Sequence, residues 1–160
     1  EELMTKMHKE EGLQVITFRF GTIFGTSPGM RFHTAVNKFC FSAAMNEPIP
    51  VWSGALHQKR PYLSLRDAFK MIKYTIEENF FKNQIYNILS SNYTVNDIVK
   101  MIKKHKKKIK VKFIRSKILN QLSYEVSTKK ILSENVNLNS KIIFDIKETL
   151  NLFRNINNGM

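Results

Sequence analysis

Leu13-Gln14-Val15-Ile16-Thr17-Phe18-Arg19-Phe20 runs directly into Gly21-Thr22-Ile23-Phe24-Gly25-Thr26-Ser27-Pro28-Gly29. The first stretch is rich in apolar and β-branched residues, the composition of a largely buried strand. The second contains three glycines and a proline, the punctuation of a loop. Helical patterns stand on either side. Upstream, Leu3, Met4 and Met7 fall at i, i+1 and i+4, and Gly12 stands where a C-cap belongs, so a helix is expected over 1–11. Downstream, Val36, Phe39, Cys40, Ala43 and Ala44 keep helical spacing within 32–45. A strand followed by a glycine loop between two helices points to α/β architecture.

The same alternation continues. Residues 48–52 and 61–65 read as short strands around a turn at Gly54, and 67–78 as an amphipathic helix. Its apolar face would be Ala68, Phe69, Met71, Ile72 and Ile76. A buried strand is expected at 85–89. Thr94-Val95-Asn96-Asp97 has the form of a capping box with a short acid, opening a helix through Met101 and Ile102. In 108–114, Ile109, Val111 and Phe113 alternate with Lys108, Lys110 and Lys112, which predicts a strand with one buried and one lysine face. Two further helices are expected, near 128–135 and 146–155.

The net charge of +13 is unevenly distributed. Residues 1–99 carry 11 Lys/Arg against 9 Asp/Glu, whereas 100–160 carry 15 against 4. Between Lys100 and Lys117 lie ten basic residues and no acid, nearly all of them lysine. A phosphate-tracking surface usually adds arginine forks or stacking aromatics, so a solvated basic face is preferred over a nucleic-acid site. A hydrophobic fraction of 42% fits a globular chain. The single Cys40 excludes a disulfide framework and fits a reducing, cytoplasmic setting. No apolar run reaches the length of a membrane span. His8, His33, His57 and His105 have no partners at a metal-ligand spacing, so no metal site is expected. Cys40 on an apolar helix face and Trp52 are read as packing residues.

Four segments carry a family resemblance. Phe18-Arg19-Phe20-Gly21-Thr22-Ile23-Phe24-Gly25 resembles the motif L-R-x-x-N-V-Y-G-P. Asn46-Glu47-Pro48-Ile49-Pro50-Val51 with Arg60-Pro61-Tyr62-Leu63-Ser64-Leu65-Arg66-Asp67-Ala68 resembles G-x-P-I-x-V … R-x-Y-x-x-V-x-D-x-A. Ile85-Tyr86-Asn87-Ile88-Leu89 with Thr94-Val95-Asn96-Asp97-Ile98 is similar to Y-N-I-G … T-x-x-D-I. The passage from Tyr124 to Leu132 is similar to a late D-x-S-K-x-x-x-x-L. In this order they resemble the extended short-chain dehydrogenase/reductase family, in its nucleotide-sugar epimerase/dehydratase branch. Thr22 stands for the usual Asn, Thr26 for Pro and Leu89 for Gly, and 55–59 lacks the frequent G-D-G-x-Q.

The resemblance implies the C-terminal part of a Rossmann-like fold: the last sheet strands plus the small substrate-binding subdomain. On that reading residues 1–160 are a single substrate-binding portion, and the N-terminal cofactor-binding half is absent. The family's Gly-x-x-Gly-x-x-Gly loop and catalytic Tyr-x-x-x-Lys pair do not occur in these 160 residues. NAD or NADP would belong to the full-length parent, with none held tightly by this portion. In such a parent, hydride passes between a sugar carbon and the cofactor while the tyrosine handles a hydroxyl proton. The partners implied are a nucleotide-diphosphate sugar, the N-terminal half and a second copy of the parent.

Arg60 is the foremost site residue. Its planar guanidinium suits a diphosphate, and the matching family arginine contacts one. The alternative is a surface arginine paired with Asp67. Arg31 could aid an anion at the start of a helix or be merely solvated. Thr34, Ala35 and Asn37 lie on the first turns of that helix, where relatives grip the nucleotide. Thr22 offers a hydroxyl in place of the family amide. Asn87 either nears the nucleotide or closes its strand. Phe20 and Gly21 are the positions of this chain that the resemblance puts beside the cofactor. Two other functions stay open: a basic anion or nucleic-acid module using the lysine run, and a non-catalytic partner subunit.

Overall fold

Gly12 ends the first helix at φ 70°, where its N–H bonds the His8 carbonyl at 3.1 Å. In this left-handed conformation a residue with a side chain costs roughly 1–2 kcal/mol, and glycine adopts it freely. The computed structural model describes residues 1–115 and 123–157, the last three by backbone alone. After α1 (Glu2–Glu11), β1 (Thr17–Phe20) lies parallel to β5 (Ile85–Ile88), Thr17 beside Ile85 and Phe20 beside Ile88.

Beyond this pair the two chains fork. One continues as β2 (Thr22–Phe24) and the other as β6 (Ser91–Thr94). Into the gap fits β4 (Lys59–Ser64), parallel to β2 and antiparallel to β6. At the fork the Gly21 N–H still donates to Ile88 O at 2.9 Å, while the Ser90 N–H already donates to Tyr62 O at 2.8 Å. A Cβ at Gly21 would stand 3.1 Å from the Pro61 carbonyl and 3.3 Å from the Leu89 Cβ, so any larger residue would make β4 give way by a few tenths of an ångström.

A third pair, β3 (Ile49–Trp52) and β7 (Val111–Ile114), is parallel. The strands predicted on either side of Gly54 therefore form but do not pair with each other. The helices are α2 (Ala35–Ala44), α3 (Leu65–Glu77), α4 (Val95–His105), α5 (Lys129–Leu132) and α6 (Ile142–Asn157). The capping box at α4 is complete. Asp97 N–H donates to Thr94 Oγ1 at 3.0 Å, and Thr94 N–H donates to Asp97 Oδ2 at 3.0 Å.

Two hydrophobic clusters result. In the first, α2, α4, α6 and β3 enclose Cys40, Ala43, Ile49, Ile98, Ile102 and Ile146. The second gathers Leu63, Met71, Tyr86, Ile88 and Ile131. Fully buried Asp67 ties the chain before α6 to the start of α3. It accepts from Ser90 Oγ at 2.5 Å and Ser140 Oγ at 2.7 Å, so it is not a partner of Arg60.

Three expectations about burial are corrected. Of the 13–20 segment, Leu13 is exposed and Val15, Ile16 and Phe18 are only half-buried; Ile16 and Phe18 touch the second cluster from its border, because β1 pairs with β5 alone among the described strands. Phe113, predicted inward, is 57% exposed; Ile109 is buried and Val111 half-buried as the alternation requires. On α3, Ala68 and Met71 are buried, but Phe69 and Ile76 are 66% and 68% exposed, with Ile72 exposed beside them. That helix carries two apolar stripes, and only one meets the core.

Candidate functional site

At the mouth of the first cluster, β2, β4 and the start of α2 border a cleft of about 350 Å³. β2 contributes Thr22, and β4 contributes Arg60 with Gln58 just before it. The N-terminal end of α2 contributes Thr34, Ala35 and Lys38, preceded by His33. Trp52, at the end of β3, completes the rim. Three of the lining residues (His33, Lys38 and Arg60) carry cationic or titratable nitrogen, and no carboxylate is among those described.

Thr34 takes the N-cap position of α2 with φ −88°, yet its side chain does not cap the helix. Its hydroxyl donates instead to Arg31 O at 3.4 Å. The first N–H groups of α2 therefore keep their capacity for an anion, aided by the positive end of the helix dipole.

The Arg60 guanidinium is half-buried and aimed by its neighbours. Nη1 donates to Lys59 O at 3.1 Å, Nη2 to Gln58 Oε1 at 3.4 Å, and the group lies over the Tyr124 ring at 4.9 Å. Stacking of this kind fixes the plane of the guanidinium. Lys59, next in sequence, is turned away to Glu125. Beneath Arg60, burial pushes the Tyr62 hydroxyl up, and the Arg60 charge acts in the opposite direction.

The structure brings Thr22, Thr34, Ala35 and Arg60 to this cleft. Arg31 and Asn37 line an adjoining depression that Thr22 and Thr34 share. Both ends of the buried Asn37 amide are engaged: Oδ1 accepts from Gly25 N–H at 3.2 Å, and Nδ2 donates to Arg31 O at 3.1 Å. Asn37 thus shapes the 25–31 loop. Asn87 is not in the cleft; its Nδ2 donates to Ser127 O at 3.3 Å, tying down the 123–128 segment. Phe20 is exposed and stacked on Phe18, ring centroids 5.7 Å apart, and Gly21 is occupied by the close approach of Pro61.

His33, Lys38, Gln58 and Trp52 are cleft residues the sequence reading passed over. Trp52, read as packing, is 39% exposed on the rim; a lone tryptophan at a strand end was the available signal. Burial pushes the Cys40 thiol up to about 12, which removes it as a nucleophile. Among the described residues no group of three or more His, Cys, Asp or Glu is placed to hold a metal, and no helix is long and apolar enough to cross a membrane. Lys117, at the end of the basic run, lies outside the described residues.

Residues 1–88, which include the cleft residues Thr22, Thr34, Ala35 and Arg60, match the model of the NAD dependent epimerase/dehydratase family. The chain belongs to this epimerase/dehydratase family. Over 107 residues it is 28% identical to the chloroplastic UDP-sulfoquinovose synthase of Spinacia oleracea, a stretch covering 66% of this chain and 20% of that protein. Its fold matches the UDP-glucuronic acid 4-epimerase of Bacillus cereus, solved with UDP-glucuronic acid and NAD, at TM-score 0.81. That match has 15% identity and covers 97% of this chain and 50% of that one. The UDP-glucose 4-epimerase of Thermus thermophilus, solved with NAD, matches at TM-score 0.76 and 17% identity, over 96% of this chain and 50% of that one. The architecture is therefore the α/β Rossmann-like epimerase fold, and the chain spans about half the length of these solved relatives.

Proposed function

We propose that this chain is the C-terminal, substrate-side portion of an NAD(P)-dependent nucleotide-sugar epimerase or dehydratase, and that its cleft holds the nucleotide diphosphate. The observation that carries this reading is convergence. Thr22, Thr34, Ala35 and Arg60 come from three separate elements to one concavity without a described carboxylate. A diphosphate needs paired, charge-assisted donors and helix N–H groups, and the guanidinium of Arg60 and the uncapped start of α2 can supply both. Relatives named for UDP-sugars make UDP the natural probe.

The residues present do not form a dinucleotide cradle. Gly21, Gly25 and Gly29 recur every fourth residue, not every third, and Gly21 is committed to Pro61. Cofactor binding and the Tyr-x-x-x-Lys proton chemistry are therefore assigned to the rest of the parent. When bound there, the nicotinamide supplies hydride transfer. This chain binds the diphosphate, orients the sugar and excludes water from one side of it. The exposed Leu3, Phe20, Phe69, Ile72 and Ile76 support packing against that other half. A reducing, cytoplasmic setting is part of the same reading, supported by the lone thiol of Cys40.

Calorimetric titration of the protein with UDP tests the assignment. Arg60→Ala should weaken binding by about 2–4 kcal/mol, the scale for truncating one partner of a charge pair. Arg60→Lys should restore part of the loss, since an ammonium lacks the planar fork. Unchanged UDP affinity in Arg60→Ala defeats the proposal, and a micromolar complex with NAD+ alone defeats the assignment of the cofactor cradle elsewhere.

A further inference from the structure

Helix α2 has ten residues, so its far end lies about 15 Å from the cleft. There the C-termini of α2 and α4 meet α6 around a second, much smaller pocket of about 80 Å³. His105 and Lys106 reach it from the end of α4, and Lys147 and Arg154 from α6. No carboxylate lines it among the described residues, and Lys106, Lys147 and Arg154 form no ion pair with a described carboxylate.

Helix C-termini attract cations without any ligand, and this explains part of the arrangement. Lys106 Nζ donates to Ala44 O, the last residue of α2, at 3.2 Å. Lys147 and Arg154 are not accounted for in this way, and neither is His105, whose Nε2 is buried with no hydrogen-bond partner. Such a nitrogen is costly to leave unmet. Burial first, and the charge of Arg154 second, hold the Lys106 ammonium below the usual lysine range, as expected where cations crowd without a counter-charge.

We propose that this pocket binds a free tetrahedral oxyanion of phosphate size, held by Lys106, Lys147 and Arg154 beside the His105 ring. It is separate from the diphosphate cleft, and it stands or falls independently of the proposed enzymatic role. The pocket's small volume favours the bare ion over a phosphate carrying a bulky substituent.

Imidazole-detected nitrogen NMR of His105 during titration with inorganic phosphate, at constant ionic strength, reads the site directly. The expected result is a saturable shift of the His105 signals that chloride does not reproduce. Arg154→Gln and Lys147→Gln, both at exposed positions, should each weaken the apparent affinity about tenfold, as loss of a hydrogen bond to a charged group requires. Lys70→Gln removes the same charge from the exposed surface of α3 and should change it by less than about twofold. An equal loss in Lys70→Gln, an equal response to chloride, or no saturable shift overturns the proposal.

Discussion

The cluster around Cys40, Ile98 and Ile146 and the cluster around Leu63, Met71 and Tyr86 use the same kinds of residue but end differently at the surface. The first is enclosed by helices α2, α4 and α6, and what opens from it is a cleft with a largely apolar lining, in which Thr22, His33, Lys38 and Arg60 supply the polar groups. The second is backed by β1, β5 and the inner stripe of α3, and it presents apolar side chains outward: Phe20, Phe69, Ile72 and Ile76. A closed core whose mouth is concave and mainly apolar, with a few convergent polar groups, is suited to a small ligand. An open sheet with an apolar helix stripe is suited to more protein. On the proposed function, the difference would separate the nucleotide-binding side from the side that packs on the rest of the parent.

Substitutions can break or sharpen this contrast. Ile98→Ala, in the closed cluster, should cost about 2–5 kcal/mol in urea unfolding through lost transfer energy and a cavity. A cost near zero would mean that this cluster is not the stabilising core. Next in size, Thr94→Ala removes the capping box at the head of α4 and should cost about 1 kcal/mol by the same assay.

The acid limb gives a smaller effect with a defined sign. Burial holds the Asp145 carboxyl above the usual aspartate range, against opposing hydrogen bonds from Ser64 and Arg66. Its raised folded value favours the protonated form, so that contribution is full below the unfolded value near about 4 and is lost as pH rises through the folded one. The stability gap between wild type and Asp145→Asn should therefore shift against wild type as pH climbs through this window. A gap that moves the other way contradicts the assignment. Smallest of all, Ile76→Ser on the open stripe should change the stability of this chain by no more than about 0.5 kcal/mol. A large loss there would show that the stripe is covered in solution.

Local chemistry made much of the fold legible in the sequence. Gly12 as a C-cap and the Thr94–Asp97 box each depend on neighbouring residues alone, and each is where the sequence puts it, whereas Thr22–Phe24 of the expected 21–29 loop forms strand β2 because β4 pairs with it from a distance in sequence. Burial was less legible, because alternation or an apolar run states only that a face wants cover. Leu13, Phe113 and Phe69 have the right residue type for a core, yet each stays exposed over 41–66% of its surface. The fork at Gly21 was illegible for another reason: its cause, Pro61, is distant in sequence. The cleft was read through Arg60 and Thr22, but the ring under Arg60 belongs to Tyr124, and the lining Lys38 and Trp52 carried no local motif. Asn37 looked like a ligand residue because it sits near a helix start. Its amide is instead turned to the Gly25 and Arg31 backbone.

On the proposed function, the nucleotide diphosphate binds where β2, β4 and α2 converge. Amide NMR of the protein titrated with UDP tests it most directly. Saturable shifts are expected at the N–H groups of Thr22, Thr34 and Ala35 and at the Arg60 guanidinium, with Asn87 and the lysines of α4 unmoved. Shifts confined to α4 and the 106–112 lysines, with Arg60 silent, would contradict it.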